Sequence, residues 1–261
     1  MDSCFDIWSL FLKRPDARSK SLLVDTSYNA DPDIIKLKEM MVRRQYFREE
    51  DVNIIAGANA STSSIRSELD SLLKFAKSTN QKTIILLVLS GQTVGIPGSD
   101  HKDPSISQAF VTSDGILSKY DLFDNFVQKL PSTCNIFIMV NSYYDKPFSE
   151  LKYRYNCDMK NTYTIINDHI PTDCNCVILN GCQYDDYLMK LLSSGDNKQS
   201  RSDTLKAFMD IYNENISIRN LVLGIKQWFH RNNSNQIPHI SSSKLVPIKL
   251  TLGSMFRTDL E

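Results

Sequence analysis

Three short runs of nearly uninterrupted apolar side chains constrain this chain more than any other feature: TIILLVL at 83–89, NIFIMV at 135–140 and CVIL at 176–179. A strand with one wet face alternates apolar and polar residues, so a run that is apolar at every position buries both faces. None approaches the roughly 20 apolar residues needed to span a bilayer. They read as central strands of a sheet covered on both sides. Shorter runs at 22–24 (LLV) and 52–55 (VNII) read as further strands of the same sheet.

Between the runs the apolar period changes from 2 to 3.6. Asp31, Pro32 and Asp33 supply an N-cap acid and a proline for a first helical turn, followed by Ile34, Leu37 and Met41 on one face. The hydroxyl residues at 61–64 cap a second helix with the stripe Ile65, Leu69, Leu72, Leu73 and Ala76. Ser118 and Asp121 have capping-box spacing and open a helix that turns Leu122, Phe123, Phe126 and Leu130 inward. Two later helices carry Leu205, Phe208, Met209 and Tyr212, then Ile218, Leu221, Val222, Ile225, Trp228 and Phe229. Residues 91–108 read as a loop, 109–112 as a short extended piece, and the polar stretch 193–202 as surface loop.

Repeated β-α-β order predicts an α/β fold: a mainly parallel sheet, helices on both faces, right-handed crossovers. Such sheets place their sites beyond the carboxyl ends of the strands. Of the 261 residues, 20–243 are expected to form this domain, with an N-terminal extension at 1–19 and a C-terminal extension at 244–261.

Thirty basic residues balance thirty acidic ones, so the basic surplus of a nucleic-acid-binding domain is missing. The first residues lack the basic and apolar regions of a secretory signal. Six cysteines in a chain this long do not make a disulfide framework and read as reduced, buried thiols of an intracellular protein, hence cytoplasmic. Cys174 and Cys176 lack partners at zinc spacing, and the four histidines are paired with no nucleophile in the sequence. Gly91, Gly95 and Gly98 follow a strand but run into Pro104 rather than a helix N-terminus, so they make no phosphate loop. No metal and no cofactor is expected. The terminal segments are apolar enough to pack: Phe5, Trp8, Phe11 and Leu12 near helical spacing, and LVPIKLTL at 245–252 like an edge strand interrupted by Pro247. Each could cover its own domain or add to a partner.

The strand-end loops contain Ser90-Gly91-Gln92-Thr93, then Asn141-Ser142-Tyr143-Tyr144-Asp145, then Asn180-Gly181-Cys182. In this order and on these elements they resemble the Ser-Gly-His-Gly, Asp-Ser-Cys-His-Ser-Gly and Ser-Gly-Cys loops of the metacaspases, caspase-like cysteine peptidases with a caspase-hemoglobinase fold. Val111-Thr112-Ser113-Asp114-Gly115, the stretch FSELKYRY at 148–155, Thr204-Leu205-Lys206-Ala207-Phe208 and QIPHISSS at 236–243 are similar to further segments of that family.

The resemblance implies a peptidase whose chemistry is gone. In the family a histidine takes the proton of a cysteine, and the thiolate attacks the carbonyl carbon after Lys or Arg. The histidine position is Gln92, and an amide is no base near neutral pH. The cysteine position is Tyr143, a phenol titrating near pH 10 and a poor acyl nucleophile. The aspartate assigned to the basic-residue pocket is Asn141, and the serine of Ser-Gly-Cys is Asn180. The acidic pair that the family uses for calcium aligns with Ser107 and Gln108, leaving Glu150 alone where calcium wants several carboxylates. Cys182 aligns with a cysteine that is not the family's nucleophile.

The expectation is therefore a pseudoprotease acting by protein–protein binding. Its cleft would be built from Gln92, Tyr143, Tyr144, Asn180 and Tyr184, whose rings offer amphipathic contact area. Partners implied are an active metacaspase, which it would regulate, or scaffold and virion proteins, since large DNA viruses are among the lineages with metacaspase-like genes. The second case places the protein in a virus particle. A residual or rebuilt cysteine-type peptidase cleaving after Arg or Lys is the enzymatic alternative.

Overall fold

A computed structural model describes residues 18–27, 31–44, 46–97, 106–142, 148, 151–155, 163–166, 171–183, 203–212, 216, 218–232, 234 and 236–245. Its centre is an eight-stranded sheet in the order β2-β1-β3-β7-β10-β11-β8-β9. The strands are β1 (Arg18–Asp25), β2 (Val52–Ala56), β3 (Thr83–Gly91), β7 (Cys134–Ser142), β8 (Tyr153–Tyr155), β9 (Tyr163–Ile165), β10 (Asn175–Gln183) and β11 (Gln236–Ser242). Neighbours from β2 to β10 are parallel. Those from β10 to β9 are antiparallel. A separate three-stranded antiparallel sheet joins β4 (Thr93–Pro97), β5 (Ile106–Val111) and β6 (Ile116–Ser118).

The three apolar runs are the central strands β3, β7 and β10. Alternate residues serve opposite faces: Leu86, Val88, Phe137, Met139, Val177 and Leu179 join one core, and Ile85, Leu87, Leu89, Ile136, Ile138, Val140 and Ile178 the other. The first core is closed by α1 (Pro32–Arg43), α4 (Thr204–Ile211) and α5 (Ile218–Arg231), the second by α2 (Thr62–Lys77) and α3 (Lys119–Phe123). Each fully buried Leu, Ile or Phe contributes about 1.5–3 kcal/mol, so these two layers hold the strand ends in place. Gly224 lets α5 press on α4, because an added Cβ would lie 2.5 Å from Ile211 Cγ2.

The caps fall where the side chains require. Asp31 caps α1, its carboxylate accepting from the Asp33 N–H at 3.0 Å. Ser61 caps α2 through the Ser64 N–H at 3.1 Å. Ser118 and Asp121 form the reciprocal capping box of α3. Ile34, Leu37 and Met41, then Ile65, Leu69, Leu72 and Ala76, are buried as their spacing predicts.

Four expectations change. The stretch expected as a loop at 91–108 contains β4 and the start of β5, short strands interrupted by Gly95, Pro97 and Ser107 and held by pairing to each other. α3 is one short turn, and Phe126 and Leu130 are buried from a turn and a 3-10 segment that follow it. β1 begins at Arg18 and is longer than its apolar centre, and the closing segment is the antiparallel strand β11. Residues 193–202 and 246–261 lie outside the described residues, as do the apolar N-terminal residues.

Candidate functional site

Parallel register brings the suspect loops to one end of the sheet. Ser90 stands opposite Asn141 and Gly91 opposite Ser142, while Leu89, Val140 and Asn180 lie level across three strands. Gln92 and Asn141 therefore lie at the carboxyl ends of β3 and β7, level with Asn180; the stretch 180–182, expected as a loop, is instead part of β10, held in the strand by antiparallel pairing to His239, Pro238 and Ile237 of β11. Tyr143, Tyr144 and Tyr184 lie outside the described residues, as does Glu150.

The three gathered residues differ in what surrounds them. Gln92 is exposed between β3 and β4, and its carbonyl accepts from the Val111 N–H at 2.8 Å, tying the small sheet to the large one. Asn141 is buried, and both ends of its amide are used. Its Nδ2 donates to Ser90 Oγ at 2.9 Å, and its Oδ1 accepts from the Leu205 N–H at 3.2 Å. Leu205 is the second residue of α4, whose own N-cap residue Asp203 makes no side-chain cap bond. Asn141 thus caps α4 from a neighbouring strand. Ser90 passes the chain on, its hydroxyl donating to Asp31 Oδ2 at 3.3 Å. Asn180, equally buried, accepts from the Phe148 N–H at 3.2 Å and anchors the segment downstream of β7. Thr93 Oγ1 donates to Ser142 Oγ at 3.3 Å beneath the same loops.

Two acids at this end were not legible as site neighbours. Asp25 closes β1 fully buried, its carboxylate accepting from the Ser27 N–H at 3.0 Å, from the Ser27 hydroxyl and from the Asp31 N–H. It organises the turn between β1 and α1. The Asp203 N–H donates to Gln236 Oε1 at 3.1 Å, fixing the start of α4 against β11. Burial pushes the Asp203 carboxyl above the usual range; Lys206 opposes this, while the Asp33 and Asp31 carboxylates add to it.

Gly91 is the point of closest approach. A Cβ there would stand 2.1 Å from Thr26 Oγ1 and 3.1 Å from Phe110 Cζ, so only glycine lets β3 pass the end of β1 at this spacing. It serves packing, in line with its exclusion from a phosphate loop.

Other candidates sit elsewhere. Cys134, Cys174 and Cys176 are free and buried together at the opposite end of β7 and β10. Burial pushes the thiols of Cys134 to about 12 and Cys174 to about 11, and Cys176 well above the ordinary value. Such thiols carry no thiolate at neutral pH. His239, on β11 opposite Asn180, is half-buried; burial lowers its pKa first, and the Arg154 charge adds to that. Gln108 is buried on β5 opposite Gly95. Among the described residues, no three His, Cys, Asp or Glu side chains are placed to hold a metal ion. No helix among them is long and apolar enough to cross a membrane.

No family model and no curated protein matches the chain. Its backbone is similar to that of protein GSU0716 from Geobacter sulfurreducens, at a TM-score of 0.59 and 14% identity, covering 90% of this chain and 97% of that one. The structure of pro-sf-caspase-1 also matches, at a TM-score of 0.49 and 10% identity over 93% of each chain. At these identities the first likeness is one of fold.

Proposed function

We propose that this chain is a metacaspase-like pseudoprotease that works by binding protein partners, as a regulator of an active metacaspase or as a structural part of a larger assembly such as a virion. The carrying observation is the employment of Asn141. A residue that shapes a pocket for a Lys or Arg side chain must offer a free acceptor to the ligand. Here both ends of the amide hold β3 to α4. Asn180 is likewise occupied in holding backbone, and Gln92 brings an amide where the resemblance calls for a base. Two of the aligned positions, Asn141 and Asn180, hold architecture together, which favours recognition by the surface over chemistry at this end of the sheet.

The test incubates the chain with fluorogenic Arg and Lys peptides and with an electrophilic arginyl probe, with and without calcium. The expected result is no turnover and no labelled residue. Labelling of any side chain, or hydrolysis above a boiled control, overturns the proposal in favour of a rebuilt peptidase. Regulator and structural component separate on gentle purification from the source, followed by mass spectrometry. An active metacaspase recovered with the chain identifies the regulator, and fixed stoichiometry with scaffold or coat proteins identifies the component.

A further inference from the structure

The main sheet ends at β9, whose three residues are all exposed, Tyr163 at 42% and Ile165 at 53%. Among the described residues no further strand lies beyond it. β9 pairs with β8 in antiparallel register, Tyr163 with Tyr155, Thr164 with Arg154 and Ile165 with Tyr153. One step further along, the Ile166 N–H donates to the Lys152 carbonyl at 2.8 Å. Antiparallel pairs alternate between bonded and non-bonded, so Thr164 shares the bonded parity of Ile166. The N–H and C=O groups of Tyr163 and Ile165 therefore point away from β8, along the outer edge. An unpaired edge of this kind is a template for another strand.

The side chains on this edge are complementary to themselves. Tyr155 lies in the core under α1, α4 and α5, and its register partner Tyr163 shares that face, as do Tyr153 and Ile165. The Tyr163 ring is already set edge-on to Tyr153 at 5.7 Å. Thr164 belongs to the other face. A two-fold axis normal to the sheet at Thr164 sets Tyr163 of one copy opposite Ile165 of the next, Ile165 opposite Tyr163, and Thr164 opposite Thr164. The first two are then the bonded pairs that the outward groups require, and the third is the closely spaced non-bonded pair. A shift by one residue would instead set the outward groups of Tyr163 against Thr164, whose own groups are turned to β8. Aromatic with β-branched and threonine with threonine are favourable cross-strand neighbours. A two-fold interface requires a patch that matches itself in this way.

We propose that the chain forms a symmetric dimer in which β9 pairs antiparallel with β9 of a second copy about Thr164, so that the main sheet runs through both. Three residues from each copy are few against the area of a stable interface, which makes the dimer a weak one whose population follows concentration.

Sedimentation velocity across about 5–500 μM should show the monomer giving way to a dimer. Thr164→Glu faces Arg154 favourably within its own copy but meets a like charge across the axis. It should weaken the dimer at least about tenfold while the amides of β3 and β7 keep their native hydrogen-exchange rates. Cysteine substitution reads the register. Residues facing across a non-bonded pair lie about 4.5 Å apart at Cα, within disulfide reach, whereas Tyr163 would stand two residues along from its copy. Oxidised glutathione should therefore link the chain carrying Thr164→Cys into a covalent dimer, located by peptide mapping, and leave the chain carrying Tyr163→Cys unlinked at that position. A chain that stays monomeric at the highest concentration overturns the proposal. So does a dimer that Thr164→Glu leaves intact, or a link that forms equally well from Tyr163→Cys.

Discussion

Replacing Asn141 by aspartate, the residue the metacaspase resemblance places there, is the sharpest test of the buried bridge. Ser90 has one hydroxyl proton, and it points to Asp31 Oδ2 at 3.3 Å while the oxygen accepts from Asn141 Nδ2 at 2.9 Å. With Asn141→Asp the Nδ2 donor vanishes, and two buried carboxylates compete for one proton. The lost bond costs about 1 kcal/mol, and a buried acceptor without its donor adds about 1–3 kcal/mol, more when charged. The start of α4 gives back about 0.3–1 kcal/mol, since a carboxylate near the Leu205 N–H suits the helix dipole. The net loss at pH 7 is about 1–4 kcal/mol, a fall of roughly 2–15 °C in Tm for a domain of this size. Buried beside a like charge, the new carboxyl titrates above the ordinary aspartate value of about 3.9. A folded-state value raised above the unfolded one destabilises at pH values above it, so the penalty fades as pH falls towards about 4. Urea unfolding followed by circular dichroism at pH 7 and pH 4.5 measures both quantities. A variant as stable as the native chain at pH 7, or one whose deficit grows towards acid, would refute the bridge.

Other outcomes follow from the same geometry. Gly91→Ala should cost about 2–3 kcal/mol in urea unfolding through its contact with Thr26, with part of the loss recovered when Thr26→Ala is added. His239 has a folded-state pKa below its unfolded value, so it contributes nothing above about pH 6.5 and weakens the fold as pH falls further. His239→Gln should flatten that part of the acid limb, measured as Tm against pH. Cys134, Cys174 and Cys176 should resist a thiol reagent at pH 8 in the native chain and react on unfolding, read by peptide mapping. The double substitution Gln92→His with Tyr143→Cys should leave the chain nearly inert on Arg and Lys peptides, because Asn141 and Asn180 stay committed to backbone groups. Strong activity from that variant would show that the cleft is better preserved than the bridge implies.

The parallel half of the sheet was legible because its central strands β3, β7 and β10 are apolar on both sides, and the helices because caps and stripes are local signals. β4, β8, β9 and β11 were not: they are short, rich in Ser, Gly, Tyr and Arg, and exist through partners distant in sequence, as Ile240 with Tyr155. The site divided in the same way. That Gln92 and Asn141 sit at strand ends follows from local pattern, whereas β10 runs on past Asn180 because β11 pairs with it. What they touch does not, since Ser90 lies 51 residues from Asn141, Leu205 64 from Asn141, and Phe148 32 from Asn180. Asp25 carries no local signal, since its place as a buried acceptor depends on Asp31, six residues on, returning its N–H to it.

If the proposed loss of peptidase chemistry holds, the bridge from Asp31 through Ser90 and Asn141 to the first turn of α4 also bears on how such a domain changes afterwards. A working catalytic site keeps lone pairs and protons uncommitted, and that openness costs stability. On that reading, a group released from the reaction is free to bond the nearest unsatisfied backbone donor, and the bonds from the Leu205 N–H to Asn141 and from the Phe148 N–H to Asn180 are what such a step would leave. Every such step would make a return to chemistry harder, because a catalytic side chain at that position would have to displace a structural bond. Loss of activity on this scaffold would then act as a ratchet, and the degenerate cleft would be the most firmly knit end of the sheet.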